Sequence, residues 1–268
     1  MVRPIALDKT TQLASGATAE IHAYGDGRVI KLFRSRADSH ATELQTSIAA
    51  RAAGIATPAL LCDDLVEVED GEGIIYERVD GPTMQQYLEN QPECAEECGR
   101  TLAALHTQIH SCRTPELTEL HEVIERSIQH ADALDSTSRR TVEDIFRRLT
   151  HGDTLCHNDF YPQNLMLSDR GWLTIDWAVG FRGNPLADHA RTWTIALLYL
   201  ELSSGAEREM WQRFWTAYFD EYGTLSKVPV GEFEQWKTVM AAVSLRWDPP
   251  QFSKIRLEFL RTALATVR

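Results

Sequence analysis

The sequence lacks any apolar run long enough to cross a membrane. The stretch Ile195–Leu200 is far shorter than the roughly 20 residues that a membrane-spanning helix needs. The opening residues Met1–Lys9 also lack the apolar segment that a secretory signal peptide carries. We therefore expect no membrane association and predict a cytoplasmic protein.

Positive charge is scarce as well. The chain has 27 Lys and Arg residues against 39 Asp and Glu residues, which gives a formal net charge of −12. Nucleic-acid binding depends on Lys and Arg, so we expect no nucleic-acid partner. An acidic surface favours solubility, and it also suits a cationic substrate.

The spacing of the five cysteines does not match a recognisable disulfide framework. Their number is odd and their spacing is irregular, which predicts free thiols in a reducing compartment. Cys94, Cys98, His106, His110 and Cys112 lie close together in sequence, but their spacing does not close a tetrahedral zinc site. We expect these residues to pack as ordinary helix residues.

The order of predicted elements indicates an α+β fold. The first third alternates short apolar segments with Gly-containing turns, which predicts strands and one helix, in the order Thr11–Ala14, Glu20–Tyr24, Arg28–Phe33, helix Ala37–Ala53, Ala59–Val68 and Gly73–Val79. The rest has helical periodicity with one β-hairpin, Asn164–Leu167 and Trp172–Ile175. We predict a small antiparallel β lobe at residues 1–79 and a larger, mainly helical lobe at residues 80–268.

Two carboxylates and one amide flank the predicted hairpin. Asp159 precedes Asn164 by five residues, and Asp176 follows the second strand. Phosphoryl transfer needs such a set, because one Asp receives the proton of the acceptor hydroxyl while an Asn and a second Asp hold Mg²⁺ against the phosphates. Oxygen ligands of this kind are those that Mg²⁺ prefers.

The segment from Cys156 to Trp177 resembles the aminoglycoside phosphotransferase/choline kinase-like family. The matching features are a His-x-Asp-x-x-x-x-Asn pattern, an Ile-Asp-Trp triplet and the downstream segment Gly183–Arg191. The resemblance implies a protein kinase-like fold and assigns the catalytic and metal-binding roles to Asp159 as base, Asn164 and Asp176 as Mg²⁺ ligands, and His157 and Asp188 as supports of the catalytic loop. Asn158 stands where the family usually has Gly, and Asn tolerates the backbone angles that Gly permits.

A second candidate register lies six residues earlier. His151-Gly152-Asp153 matches the family's usual triplet more literally, with Asn158 five residues after Asp153. We reject this register because a strand should follow the Asn directly. The segment Leu165–Leu167 provides that strand for Asn164.

The resemblance also places the nucleotide in the β lobe. Lys31 lies in an apolar strand, where a charged side chain is costly unless it is paired. By resemblance, Lys31 contacts the phosphates of ATP or GTP and pairs with Glu43 on the following helix. The turn at Ser15 and Gly16 would cover the phosphates, and the backbone of Glu77 and Val79 would contact the base.

These features predict a small-molecule kinase that transfers the γ-phosphate of ATP or GTP to a hydroxyl of a small acceptor. An aminoglycoside-like antibiotic, an amino alcohol and a sugar all remain open, with Glu122, Glu125, Trp247 and Asp248 as candidate contacts for a cationic acceptor. A protein kinase is disfavoured, because no segment ending like Ala-Pro-Glu follows Asp176. The alternative is a nucleotide-binding pseudokinase that acts as an interaction module.

Overall fold

We analysed a computed structural model of the chain, which describes residues 11–16, 18–34, 38–68 and 71–265. The chain divides into two compact units. The N-terminal unit comprises Met1–Tyr87 and Pro162–Gly180, and the C-terminal unit comprises Leu88–Tyr161 and Phe181–Arg268. Neither unit is continuous in sequence, whereas the predicted lobes, residues 1–79 and 80–268, are. The predicted lobe boundaries stay a prediction.

The N-terminal unit contains a five-stranded sheet in the order β1-β2-β3-β5-β4, with every neighbouring pair antiparallel. Its strands are β1 Gln12–Ser15, β2 Ala19–Ala23, β3 Arg28–Phe33, β4 Val66–Val68 and β5 Gly71–Glu77, and helix α1, Asp38–Ala52, follows β3. The predicted order of three strands, one helix and two strands is therefore confirmed.

The predicted strand Ala59–Val68 is wrong in its first half. Only Val66–Val68 forms a strand, while Leu60 makes a single bridge to Tyr76. The segment between them contains Asp63 and Asp64, and consecutive aspartates favour a turn over a ladder. The chain therefore turns before it joins the sheet edge.

A hairpin made of β7, Leu165–Ser168, and β8, Gly171–Thr174, also belongs to the N-terminal unit. Its register pairs Leu165 with Thr174. Backbone hydrogen bonds anchor both strands, since Leu167 N donates to Pro82 O at 2.9 Å and Thr174 N donates to Ala56 O at 2.8 Å. The residues that precede Leu165 and those that follow Thr174 therefore lie at the same end of the hairpin, opposite its turn.

The C-terminal unit is mainly helical, and the boundary between the units falls inside α2, Met84–Asn90. The remaining helices are α3 Ala95–His110, α4 Leu120–Gln129, α5 Ser136–Phe146, α6 Pro185–Leu202, α7 Gly205–Ser226, α8 Val230–Trp247 and α9 Ser253–Ala265. Among the residues described, none of these helices is long and apolar enough to cross a membrane. The predicted α+β fold, with a small antiparallel sheet and a larger helical part, is confirmed.

One further pair of strands among the helices was not predicted from the sequence. Two further three-residue strands, β6 Thr154–Cys156 and β9 Phe181–Gly183, pair antiparallel in the C-terminal unit. Such short strands give no periodicity in the sequence, and only the long-range pairing defines them. Strand β6 leads directly into the loop that carries Asp159.

The largest buried cluster of the C-terminal unit forms around α8. Trp236, Val239, Met240 and Val243 of this helix are almost fully buried. They pack with buried residues of α4, α5 and α6. This packing fixes α6, which carries Asp188 and Arg191, against the C-terminal helices.

Candidate active site

An ion-pair cluster in the N-terminal unit is built around Lys31 on β3. The Lys31 side chain is nearly buried, and its Nζ donates to Glu43 Oε1 at 2.7 Å and to Asp176 Oδ1 at 2.8 Å. Burial alone would lower the pKa of Lys31, but the two carboxylates raise it above its ordinary value. Lys31 is therefore charged, and the pairing with Glu43 that the resemblance implies is present.

The same cluster holds more negative than positive charge. Burial raises the pKa of Glu43, while the Lys31 ammonium opposes that shift. Glu43 Oε1 also accepts a hydrogen bond from the Tyr76 hydroxyl at 3.3 Å. One ammonium thus lies between two carboxylates, and a negatively charged cluster of this kind favours a cation nearby.

Asn164 and Asp176 lie at the open end of the hairpin. Asn164 ends a short 3₁₀ turn just before β7, and Asp176 follows β8 by two residues. Ile175 N donates to Asn164 O at 2.9 Å, which ties the two segments together. The hairpin thus brings both predicted metal ligands to one end of one element.

The chemistry of these two side chains fits Mg²⁺. An amide oxygen and a carboxylate are hard oxygen donors, and Mg²⁺ takes few ligands from the protein. The Asp176 side chain is 42% exposed, although its Oδ1 accepts from Lys31. Its backbone has φ +62°, a left-handed conformation that is uncommon outside glycine and often marks functional sites.

The predicted nucleotide contacts are also placed in this unit. Ser15 ends β1 and is exposed, and its Oγ accepts from Arg34 Nη2 at 2.5 Å. Gly16 N donates to Ala19 O at 2.9 Å, so this N–H closes the turn itself. Glu77 ends β5 and forms an ion pair with Arg170, and half-buried Val79 follows two residues later.

In the C-terminal unit, Asp188 on α6 holds the loop that carries Asp159. The Asp188 side chain is fully buried, and its two oxygens accept the backbone N–H of His157 at 2.6 Å and of Asn158 at 2.8 Å. Burial would raise the pKa of Asp188, but nearby His106 and the hydrogen bonds hold it well below its usual range. Asp188 is therefore an ionised brace for this loop.

The loop has the backbone conformation that the sequence suggests. Asn158 has φ +62°, which explains why this position accepts Gly or Asn. His157 is fully buried, and its Nδ1 accepts the backbone N–H of Asp159 at 3.3 Å. The Asp159 side chain itself is 31% exposed, which suits a group that must reach a substrate.

The alternative register at His151 has a different environment. His151 is exposed and pairs with Glu119, and Asp153 pairs with Arg113. Strand β7 begins immediately after Asn164, which confirms the sequence criterion used to choose between the registers. Asp188 braces the His157 segment, in agreement with that choice.

His106 and His110 on α3 are the site residues that the sequence analysis missed. His110 Nε2 donates to Asp188 Oδ2 at 3.1 Å, and His106 Nε2 lies 3.2 Å from the same oxygen. Their Nδ1 atoms accept hydrogen bonds from the hydroxyls of Tyr218 and Tyr222, each at 2.7 Å. The spacing of four residues, which places both rings on one helix face, was the available signal.

Of the candidate acceptor contacts, two have partners within the C-terminal unit. Trp247 Nε1 donates to Ser127 Oγ at 3.0 Å. Asp248 is nearly buried and forms ion pairs with Arg191 and Arg256. Because the Asp248 carboxylate already pairs with two guanidinium groups, it is a poor contact for a cationic acceptor.

Comparisons with known proteins agree with this arrangement of residues. A sequence model of the family described as "Phosphotransferase enzyme family" matches residues 9–227. No curated protein sequence matches the chain.

Solved structures of aminoglycoside phosphotransferases have the same fold. A thermostable mutant of aminoglycoside phosphotransferase APH(4)-Ia is 14% identical, with 95% of this chain and 93% of that chain covered and a TM-score of 0.63. The same phosphotransferase in a ternary complex with ADP and hygromycin B is 17% identical, with 95% and 92% covered and a TM-score of 0.63. The gentamicin complex of APH(2")-IIa is 15% identical, with 95% and 89% covered and a TM-score of 0.56.

Proposed function

Because this chain belongs to the phosphotransferase enzyme family, we propose that it transfers the γ-phosphate of ATP or GTP to a hydroxyl group of a small acceptor. The observation that carries the proposal is the cluster of Lys31, Glu43 and Asp176 beside Asn164. It combines one charged ammonium with the oxygen ligands that a nucleotide-bound metal needs.

The roles of the N-terminal residues follow from their charges. Lys31, held by Glu43, would neutralise charge on the nucleotide phosphates. Asn164 and Asp176 would hold Mg²⁺, which when bound bridges and neutralises the phosphate oxygens. The turn at Ser15 and Gly16 would lie over the phosphates, and the backbone of Glu77 and Val79 would contact the base.

Asp159 would act as the base toward the acceptor hydroxyl. Its loop is fixed by Asp188 through the backbone of His157 and Asn158, so the carboxylate is held on a rigid segment. The hydroxyl proton would pass to Asp159 as the hydroxyl oxygen attacks the γ-phosphorus. Most of the rate gain would come from positioning and charge stabilisation.

Three acceptor classes fit the proposed reaction. The related structures include aminoglycoside complexes, and the net charge of −12 would suit such a polycation. Amino alcohols and sugars remain equally compatible with the catalytic residues. We further propose a cytoplasmic location, since all five cysteines are free thiols.

The test is Mg²⁺-dependent release of ADP or GDP with a panel of acceptors. The panel contains aminoglycosides, macrolides, choline, ethanolamine, homoserine and simple sugars, and Asp159→Asn serves as the blank. We expect one acceptor class to stimulate release in the wild type and to lose at least about 10²-fold in turnover in the variant. Turnover that Asp159→Asn leaves unchanged would contradict the assigned base, and nucleotide binding without any transfer would favour a pseudokinase.

A further inference from the structure

Arg191 on α6 is a buried cation to which the proposed reaction assigns no role. Its Nη2 donates to Asp248 Oδ1 at 2.7 Å and its Nη1 donates to Asp248 Oδ2 at 3.1 Å, which makes the pair bidentate. The same Nη1 also donates to Ser244 Oγ at 2.9 Å and Thr194 Oγ1 at 3.1 Å. A guanidinium held in this fork geometry has little freedom to move.

The fixed guanidinium faces the proposed base. Arg191 Nη2 lies 3.9 Å from Asp159 Oδ1, within ion-pair distance. Arg191 is only 7% exposed, so water screens this interaction much less than it would on the surface. The Arg191 guanidinium therefore lies between two carboxylates, those of Asp248 and Asp159.

A second arginine completes the network from the C-terminal end of the chain. Arg256 on α9 is fully buried and forms an ion pair with Asp248 Oδ2. Asp248 and Arg256 lie beyond residue 227, where the match to the family ends. The network therefore joins Arg191 and Asp159, which lie inside the matched segment, to two residues that lie outside it.

The charges of this network balance only when Asp159 is counted. Arg191 and Arg256 together carry one more charge than Asp248 neutralises, and the Asp159 carboxylate supplies the missing negative charge. Burial would lower the pKa of Arg191, but Asp248 and Asp159 raise it above its ordinary value. An ionised Asp159 is thus part of what makes the buried cation tolerable.

We propose that Arg191, held by Asp248, is a positioning residue that orients the Asp159 carboxylate and keeps it ionised. Its importance for catalysis rests on the proposed function, because it acts through the assigned base. The contact itself is a property of the fold, so it can be tested without any turnover.

The test follows the carboxyl signal of Asp159 by NMR in the full-length chain with ¹³C-labelled aspartate, assigned with Asp159→Asn. Arg191→Gln keeps a hydrogen-bonding side chain and removes the charge. Without the cation we expect the Asp159 titration midpoint to rise by about 1 pH unit. Other titratable groups around this pair are His157 and Tyr161 on the loop and Tyr199 on α6, and the variant leaves them in place.

Arg256→Gln is the matched control. It removes a buried arginine of the same network, whose ion pair is with Asp248. We expect it to shift the midpoint of Asp159 by less than half as much as Arg191→Gln does, because the ion pair of Arg256 is with Asp248 whereas that of Arg191 reaches Asp159. If Arg191→Gln does not fold, the triple variant Arg191→Gln/Asp248→Asn/Arg256→Gln removes Asp248 together with both of its arginine partners and still lacks the cation beside Asp159.

An unchanged midpoint in the folded Arg191 variant would overturn the proposal, as would an equal shift in Arg256→Gln. Once an acceptor is known, we expect Arg191→Gln to lower kcat by about tenfold while the KM for nucleotide changes by less than about twofold. Arg191→Lys, which restores the charge, should recover part of that loss. A wild type that transfers no phosphate would count against the proposed function alone, because the NMR titration does not depend on it.

Discussion

The two units arrange their buried carboxylates differently. In the N-terminal unit, one ammonium, that of Lys31, serves both Glu43 and Asp176, and Asp176 is partly exposed. In the C-terminal unit, the single carboxylate of Asp188 is fully buried and accepts hydrogen bonds from two backbone N–H groups and from His110. The first arrangement leaves a carboxylate partly exposed, which suits a ligand, whereas the second is fully buried among protein donors.

The largest effect is expected from a change of Asp176. We expect Asp176→Asn to lower Mg²⁺-dependent turnover by about 10³-fold, because it removes the negative charge of a proposed metal ligand. Folding should change little, since the Asp176 side chain is 42% exposed. Steady-state kinetics against Mg²⁺ concentration measures the effect.

Asp169→Asn is the matched control for this change. Asp169 is exposed in the turn of the same hairpin, at the end opposite Asp176. Its variant should keep wild-type turnover within about twofold. A similar loss in both variants would mean that the hairpin as a whole, and not the metal ligand, is responsible.

The opposite behaviour is expected of Asp188. Asp188→Asn replaces one acceptor oxygen by an NH₂ group, which cannot accept a hydrogen bond from the backbone N–H groups of the loop. The change should lower the free energy of unfolding by about 3 kcal/mol, whether or not nucleotide is present. Urea unfolding measures the loss, and Asp220→Asn on the exposed face of α7 should stay within about 0.5 kcal/mol of the wild type. An Asp188 variant as stable as the wild type would contradict the structural role of this carboxylate.

Much of the N-terminal site was predictable because its spacing is local. Asn164 and Asp176 flank one hairpin, so their sequence positions alone place them at the same end of it. The pairing of Lys31 with Glu43 joins a strand to the next helix, and the resemblance to a known family implied it. The assigned roles of these residues stay predictions.

The C-terminal network was less accessible to sequence reasoning. His106 and His110 reach Asp188 from another helix, and Arg191 meets Asp248 across α6 and α8. Such contacts depend on how helices pack, and neither spacing nor periodicity within one helix encodes that packing. Asp248 was for this reason considered as a contact for a cationic acceptor, although two arginines engage it.

The buried C-terminal network also makes the stability of the chain depend on pH. Burial lowers the pKa of His106 to about 4, so this ring is neutral in the folded chain near pH 7. Between about pH 6.5 and 4 the unfolded chain binds a proton that the folded chain does not, and the free energy of unfolding therefore falls as pH decreases. The low pKa of Asp188 acts in the same direction at still lower pH.

We expect His106 to contribute on the order of 2 kcal/mol to the stability lost between pH 7 and pH 5. His106→Gln, which cannot titrate, should lose that much less over the same interval in urea unfolding. His130→Gln, the same change at an exposed position on the surface, should keep the wild-type pH dependence. Identical pH profiles for His106→Gln and the wild type would mean that this ring is not kept neutral by burial.

The smallest effect concerns the loop between the brace and the base. Asn158 has φ +62°, a conformation that Gly adopts freely and Ala adopts at a cost of about 1 kcal/mol. Asn158→Gly should therefore stay within about 0.5 kcal/mol of the wild type in urea unfolding, whereas Asn158→Ala should lose about 1 kcal/mol. Equal free energies of unfolding for the Ala and Gly variants would show that the positive φ at this position carries no cost for Ala. The stated difference would instead show that the left-handed turn before Asp159 carries a local cost, which Asn lowers relative to Ala.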